Sequence, residues 1–239
     1  MKTIFIDLEI SPQESMTYGP FHEASVLSVI RAPYIFCFAY CEVEAGKPIG
    51  KPKVVSLTDY SLYEKEPFND RLVARELHRI ISSADIIVAH NISFDMRVAT
   101  ARFIAHGMKP CKPVKTVCTL RMARKIGQFP SNSLKELALF LGVEQKIETS
   151  KFLWQKIHIE KDKKAWKEMI KYCAQDVKVG IQIYEILRGW TGKATKPYLN
   201  AVCQECGSSK VQRRGANHSK RGGIRFQCCK CFVWGVLYE

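Results

Sequence analysis

The sequence predicts an α/β fold followed by a small metal-stapled unit, and three observations carry that prediction. Short apolar runs at residues 2–8 and 85–89 read as buried strands, and between them residues 71–81 place apolar side chains at 72, 73, 77, 80 and 81, a helical period. A second, longer helical pattern fills residues 163–187. Finally, five of the ten cysteines fall within residues 203–231 in a paired arrangement.

Taken in order, residues 2–8 form the first strand and residues 35–41 another, bounded by Pro33 before it and the Gly- and Pro-containing stretch 46–52 after it. Residues 54–57 would be a third. The helix at 71–81 leads into the compact strand 85–89, which ends at His90. A helix is expected after Asp95 as far as His106, stopped by Gly107 and Pro110. Residues 116–125 read as strand or loop followed by a short helix. Ser133 has the chemistry of an N-cap for a helix through Leu141, with Gly142 at its end. The pattern over 163–187 is helical throughout, with one break expected near Tyr172. It dissolves at residues 189–202, where Gly189, Gly192 and Pro197 mark a boundary. The expected organisation is an α/β domain over 1–190, a linker over 191–202 and a small unit over 203–239.

A hydrophobic content of 46% is enough for a sizeable core. No run approaches the roughly 20 apolar residues of a membrane span, and the first apolar stretch is too short for a secretory signal, so no membrane partner and a cytoplasmic location are expected. The formal charge of +14 is uneven: residues 191–239 hold 9 Lys and Arg against 2 acids, whereas residues 1–190 hold 28 against 21. A basic tail of this density is a nucleic-acid contact surface, or else a merely solvated one. Cys37, Cys41, Cys111, Cys118 and Cys173 are scattered and read as small buried hydrophobes.

Four acids stand on or beside apolar segments, where a carboxylate is costly unless a cation offsets it: Asp7 and Glu9 in FIDLE, Asp95 in HNISFD, and Asp176 in YCAQDV. Asp7 and Glu9 are two apart on a strand and share a face, while Leu8 points the other way. Tyr172 and Asp176 are four apart on a helix and also share a face. Hard oxygen donors of this kind suit Mg²⁺ or Mn²⁺, and two such ions about 3.5 to 4 Å apart can activate a water and stabilise a leaving 3′ oxygen. Neither D-x-E nor Y-x-x-x-D is specific alone; a packed tyrosine beside a solvated acid is commonplace.

Their order and placement are more specific. A strand-borne D-x-E, then H-N-x-x-F-D after another strand, then Y-x-x-x-D on a late helix resembles the three motifs of the DEDDy group of 3′-5′ exonucleases. The resemblance covers nearly all of residues 1–190 and extends to ADIIVAHN, SNSLKELALFLGV and YCAQDVKVGIQIY. The arrangement looks most like the stand-alone exonucleases of bacteriophages, in which such a domain is followed by a zinc ribbon. The resemblance implies an RNase H-like mixed sheet flanked by helices.

It also implies roles. Asp7, Glu9 and Asp176 would ligate the ion that holds the attacking water, Asp7 would reach a second ion, and Asp95 would hold that second ion through water. Tyr172 would orient the water; a phenol near its free pKa of about 10 is a poor base at neutral pH. The other branch of the group has a His five residues before the last Asp, where this chain has Lys171. Asn91 and Phe94 match positions that contact the terminal nucleotide, although core packing is the plain alternative for Phe94. His90 reads as a strand-end structural residue. Relatives commonly have Asp-Thr where this chain has Cys118-Thr119, a departure outside the metal ligands.

In the tail, Cys203-x-x-Cys206 and Cys228-x-x-Cys231 are separated by 21 residues, a spacing suited to a closed Cys₄ site for one structural Zn²⁺. Cys229 is the spare thiol. Metal binding would supply much of the folding free energy of so short a segment. Arg213, Arg214, Arg221 and Arg225 are candidates for gripping a phosphate backbone, whereas Trp234 is expected in the core of the ribbon.

The expected function is thus 3′-5′ removal of nucleoside 5′-monophosphates from single-stranded or frayed DNA ends, in phage replication, proofreading or repair, with a replication polymerase as a candidate partner. Trimming of RNA 3′ ends is an alternative, because the carboxylates do not read the sugar. A non-catalytic nucleic-acid-binding or polymerase-docking protein is the alternative of another class.

Overall fold

The computed structural model describes residues 2–18, 25–44, 47–150, 152–191, 202–216 and 223–237. Its first element, β1 (Thr3–Ile10), opens a six-stranded mixed sheet. A separate two-stranded hairpin follows, β2 (Glu14–Thr17) with β3 (Val26–Arg31). The chain re-enters the main sheet with β4 (Ile35–Glu44), the short β5 (Lys47–Pro48) and β6 (Lys53–Ser56). Then come α1 (Leu62–Lys65), α2 (Arg71–Ser83), β7 (Ile86–Ala89), α3 (Ile92–Ala105), β8 (Lys115–Cys118), α4 (Thr119–Ile126) and α5 (Leu134–Leu141). The single turn α6 (Leu153–Gln155) runs through a π-helical turn, Lys156–Glu160, toward α7 (Lys163–Arg188).

The sheet order is β5-β4-β1-β7-β8, with β6 also on β4. β4 runs antiparallel to β1, whereas β7 and β8 run parallel to it. Strands covered on both faces carry continuous apolar runs rather than alternation, and β1 and β4 do so: Ile4, Phe5 and Ile6 are buried alongside Ile35 through Ala39. Phe5 meets Tyr184 of α7 edge-on at 5.3 Å, so the face of β1 bearing Phe5, Asp7 and Glu9 is the α7 face. The opposite set, Ile4, Ile6 and Leu8, is buried as well, and α2 and α3 pack on one another and on the sheet through β4, β6, β7 and β8.

Two expected boundaries shift. The helix expected after Asp95 begins at Ile92, because Asn91 adopts the left-handed conformation (φ 68°, ψ 45°) and turns the chain directly out of β7. Asp95 therefore sits in the first turn, pointing inward. No break occurs near Tyr172: α7 is one helix of 26 residues. Met169, Tyr172, Cys173 and Asp176 are all buried, so the stripe that packs on the sheet runs through that point without interruption. The β2–β3 hairpin was not expected at all. Its apolar residues Val26, Leu27, Val29 and Ile30 are all exposed, so no in-out alternation marks it as a strand. Of the expected linker, residues 192–201 lie outside the described residues.

The tail forms a three-stranded antiparallel sheet of β9 (Val211–Ala216), β10 (Ile224–Cys228) and β11 (Trp234–Leu237), in the order β11-β10-β9. Its core is Phe226 with Val211, Cys203 and Cys228. Trp234, expected there, is partly exposed and outside that cluster; its strand neighbour Gly235 leaves the room that the Phe226 ring fills instead. Gln227 ties the tail to the end of α7: its amide nitrogen donates to the carbonyls of Gly189 (3.1 Å) and Phe232 (3.0 Å).

Candidate active site

β1 brings Asp7 and Glu9 to the α7 face, and α7 presents Asp176 to them. One carboxylate oxygen from each of the three lies within 4.8 Å of the others. Asp95 enters from the first turn of α3 and accepts a hydrogen bond from the Leu8 amide (3.2 Å), which fixes it against the backbone between the two acids of β1. Tyr172, one turn before Asp176, is buried on the same face of α7. The five residues singled out by spacing therefore converge from three elements that are distant in sequence.

Crowding has an electrostatic cost, and the carboxyl groups register it. Burial, then Asp176, pushes Glu9 up to about 8. Burial raises Asp95 to about 7, and burial together with Glu9, Asp176 and Asp95 raises Asp7 well above the usual carboxylate range. Asp176 is raised by burial against the opposing pull of Lys146. Burial likewise raises the Tyr172 phenol, so it stays neutral and acts as a hydrogen-bonding group.

Three neighbours were not foreseen. Lys146, from the loop after α5, places its ammonium 2.6 Å from Asp176 Oδ2 and 4.4 Å from the centre of the Tyr172 ring. Trp154 of α6 donates from Nε1 to Glu9 Oε2 (3.2 Å) and meets Tyr172 edge-on at 5.7 Å. The Cys173 thiol approaches both the carbonyl (3.4 Å) and the carboxylate (3.7 Å) of Asp7, a contact beyond its expected part as a small hydrophobe. All three are tertiary contacts with no local signature.

The donor set fits a hard divalent cation: three clustered carboxylates, raised pKa values that a nearby positive charge would reverse, and a buried Asp176 Oδ1 with no partner among the described residues. Lys146 supplies one compensating charge. Around this cluster, Asn91 and Phe94 are both exposed, which removes core packing as the reading of Phe94. His90 is held by Thr119 Oγ1 (2.9 Å) and the Asn132 carbonyl (3.0 Å), a structural position with its pKa lowered by burial.

In the tail, the sulfurs of Cys203, Cys206, Cys228 and Cys231 lie within 4.8 Å of one another. The Cys203–Cys231 and Cys206–Cys228 pairs stand 3.5 and 3.6 Å apart, too far for disulfides and close to the ~3.8 Å edge of a tetrahedron with Zn–S bonds of about 2.3 Å. Burial opposes a thiolate at Cys228, but the backbone N–H groups of Cys231 and Lys230 donate to its sulfur and bring its pKa down to about 7. Gly207 turns the first knuckle at φ 69°, and Cys229 is exposed outside the cluster. Arg214 bonds Gln227 (2.9 Å) and Arg225 stands 5.4 Å from the centre of the Trp234 ring. The side chain of Arg213 and the whole of Arg221 lie outside the described residues.

Comparison with known families gives a match to the model described as 3′-5′ exonuclease over residues 46–189, well over half of the chain. The chain belongs to the 3′-5′ exonuclease family. The matched span contains Asp95, Tyr172 and Asp176, and the first strand of this exonuclease, with Asp7 and Glu9, precedes it. Its mixed sheet flanked by helices fits an α/β RNase H-like exonuclease fold. Among solved structures the exonuclease is similar to Exonuclease X in complex with 5′ overhanging duplex DNA, at 17% identity and TM-score 0.40, covering 79% of this chain and 94% of that one. No curated protein matches. Among the described residues, no helix is long and apolar enough to cross a membrane.

Proposed function

We propose that the chain is a metal-dependent 3′-5′ exonuclease of the DEDDy type, removing nucleoside 5′-monophosphates from single-stranded or frayed DNA 3′ ends in phage DNA replication, proofreading or repair. The observation that carries this reading is the convergence of Asp7, Glu9 and Asp176 within 4.8 Å, with Asp95 pinned to the Leu8 amide and Tyr172 one turn from Asp176. Asp7, Glu9 and Asp176 would hold one Mg²⁺ or Mn²⁺, with Asp7 and Asp95 serving a second. Bound there, the cations would supply the Lewis acidity that makes a water nucleophilic and stabilises the departing 3′ oxygen.

The remaining work falls to this chain's own groups. Trp154 holds Glu9 in one orientation through its indole N–H. Tyr172, kept as a neutral phenol, gives the nucleophilic water a fixed hydrogen-bonding partner without taking its proton. Asn91 and Phe94, exposed at the start of α3, receive the terminal sugar and base. The tail acts as a zinc ribbon with a closed site, so its part is anchoring and not chemistry.

The test is a denaturing gel of 5′-labelled single-stranded DNA and RNA with Mg²⁺ or Mn²⁺. A ladder shortening from the 3′ end is expected, with DNA preferred. Asp7→Ala and Asp176→Ala should each cost at least about 10³-fold in kcat while circular dichroism is retained. Full activity in EDTA, or internal cuts in circular DNA, would sink the proposal.

A further inference from the structure

We infer that the seam between the tail and the exonuclease domain is a second binding site for nucleic acid, taking the phosphates and a base of the substrate strand upstream of the 3′ end. A cavity of about 400 Å³ opens there, between α4, the edge strand β8, the C-terminal end of α7 and the start of β11. Three cations line it, Arg121, Lys125 and Arg188, together with the rings of Tyr184 and Trp234, and no acidic residue among the described ones does. The inference rests on reading the carboxylate cluster as the cutting centre.

The cations are not used up by the fold. Arg121 and Lys125 are one turn apart on α4, both exposed, and neither makes an ion pair among the described residues. Arg188 is 8% exposed; its Nε reaches Glu185 at 3.3 Å, but its Nη1 is buried without a hydrogen-bond partner among the described residues. The indole N–H of Trp234 is in the same condition, and Arg225 and Arg214 approach its ring from the tail at 5.4 and 5.8 Å. Arg121 and Lys125, without counter-ions among the described residues, repel one another, and a buried donor without an acceptor, as at Arg188 Nη1 and Trp234 Nε1, is costly. A phosphodiester strand satisfies both: its oxygens accept from guanidinium and ammonium groups, and its bases stack on an indole.

Position identifies which part of the strand. α7 is continuous, so Tyr184 and Arg188, 8 and 12 residues beyond Asp176, lie about 12 and 18 Å along the helix at ~1.5 Å per residue. At ~3.4 Å per stacked nucleotide that is about four or five nucleotides behind the cut. The leaving nucleotide cannot be in both places, so the occupant is the same strand on its way in.

The experiment uses the whole 239-residue chain, zinc-loaded, and fluorescent oligothymidylates of three and twenty nucleotides. Binding is read by anisotropy in the Asp176→Ala background, and turnover in the active one. Arg121→Ala with Lys125→Ala should weaken binding of the 20-mer about tenfold or more and flatten its log K against log salt slope by about 1.4, two contacts at ~0.7 each. KM for the 20-mer should rise with kcat within about twofold, so the preference for the 20-mer over the trinucleotide shrinks. Trp234→Ala should weaken the 20-mer without changing the salt slope. For the Arg121→Ala with Lys125→Ala variant, equal losses on both lengths, an unchanged salt slope, or a lost inhibition by free thymidine monophosphate with length preference intact would each overturn the inference. Arg121 and Lys125 are exposed on α4, so their result stands even where Trp234→Ala disturbs the tail. The anisotropy arm needs no turnover, so failure of the second site and failure of the cutting centre are read separately.

Discussion

Lys146 illustrates what single side chains contribute to this site. Its ammonium sits 2.6 Å from Asp176 at a partly exposed position, and removing one partner of such a pair leaves the carboxylates uncompensated. Lys146→Ala should therefore lower the melting temperature in EDTA, by an amount equivalent to about 2 kcal/mol, and by much less in saturating Mg²⁺; equal losses in both buffers would show that Lys146 is not a stand-in charge. Tyr172→Phe should cost about 10- to 100-fold in kcat with little change in KM, because in the proposed mechanism the phenol orients a water and does not bind substrate. An unchanged kcat would remove Tyr172 from the mechanism. At this scale legibility was uneven for a physical reason. Asp7 with Glu9, and Tyr172 with Asp176, are readable because strand and helix periods put each pair on one face whatever the tertiary structure. Lys146, Trp154 and Cys173 reach the site only through the tertiary fold, and no periodicity announces a residue on a loop or a thiol on a buried helix face.

Among the elements, those with strong local chemistry match their expected bounds: Ser133 accepts from the Glu136 amide and Gly142 closes α5 at φ 65°, as their positions required. Asn91 shows where such reasoning misses, since a left-handed asparagine starts α3 a turn sooner than a pattern of apolar residues can tell. The gathering of the four tail cysteines was legible from their spacing, but the packing of the tail was not, because the choice between Phe226 and Trp234 for the core depends on Gly235. A Cβ at Gly235 would stand 2.3 Å from the tip of the Phe226 ring, which is 1% exposed and has nowhere to go. Gly235→Ala should cost about 1–3 kcal/mol in the tail and weaken retention of the proposed zinc against a chromogenic chelator, leaving the α/β domain intact. Unaltered zinc retention would mean that the ring yields.

For the whole molecule, proton binding and the proposed metal binding draw on the same raised carboxyl groups. Glu9 at about 8 and Asp95 at about 7 lie above their unfolded values near 4, so the folded, metal-free protein holds protons that the unfolded chain releases. That stabilisation is complete below about pH 4 and is lost as pH rises through 7 to 8. The melting temperature in EDTA should therefore be lower at pH 8.5 than at pH 6, and excess Mg²⁺ should raise it more at the higher pH, since cations then replace protons without competition. A Mg²⁺ shift that is the same at both values would contradict this linkage. One further consequence comes from the bond between Gln227 and the Gly189 carbonyl. The far end of α7 is closed by a residue of another module, so the helix should come apart in a set direction. On chelation of the tail, amide hydrogen exchange should accelerate first near residues 185–188 and travel backward, reaching the turn of Tyr172 and Asp176 last.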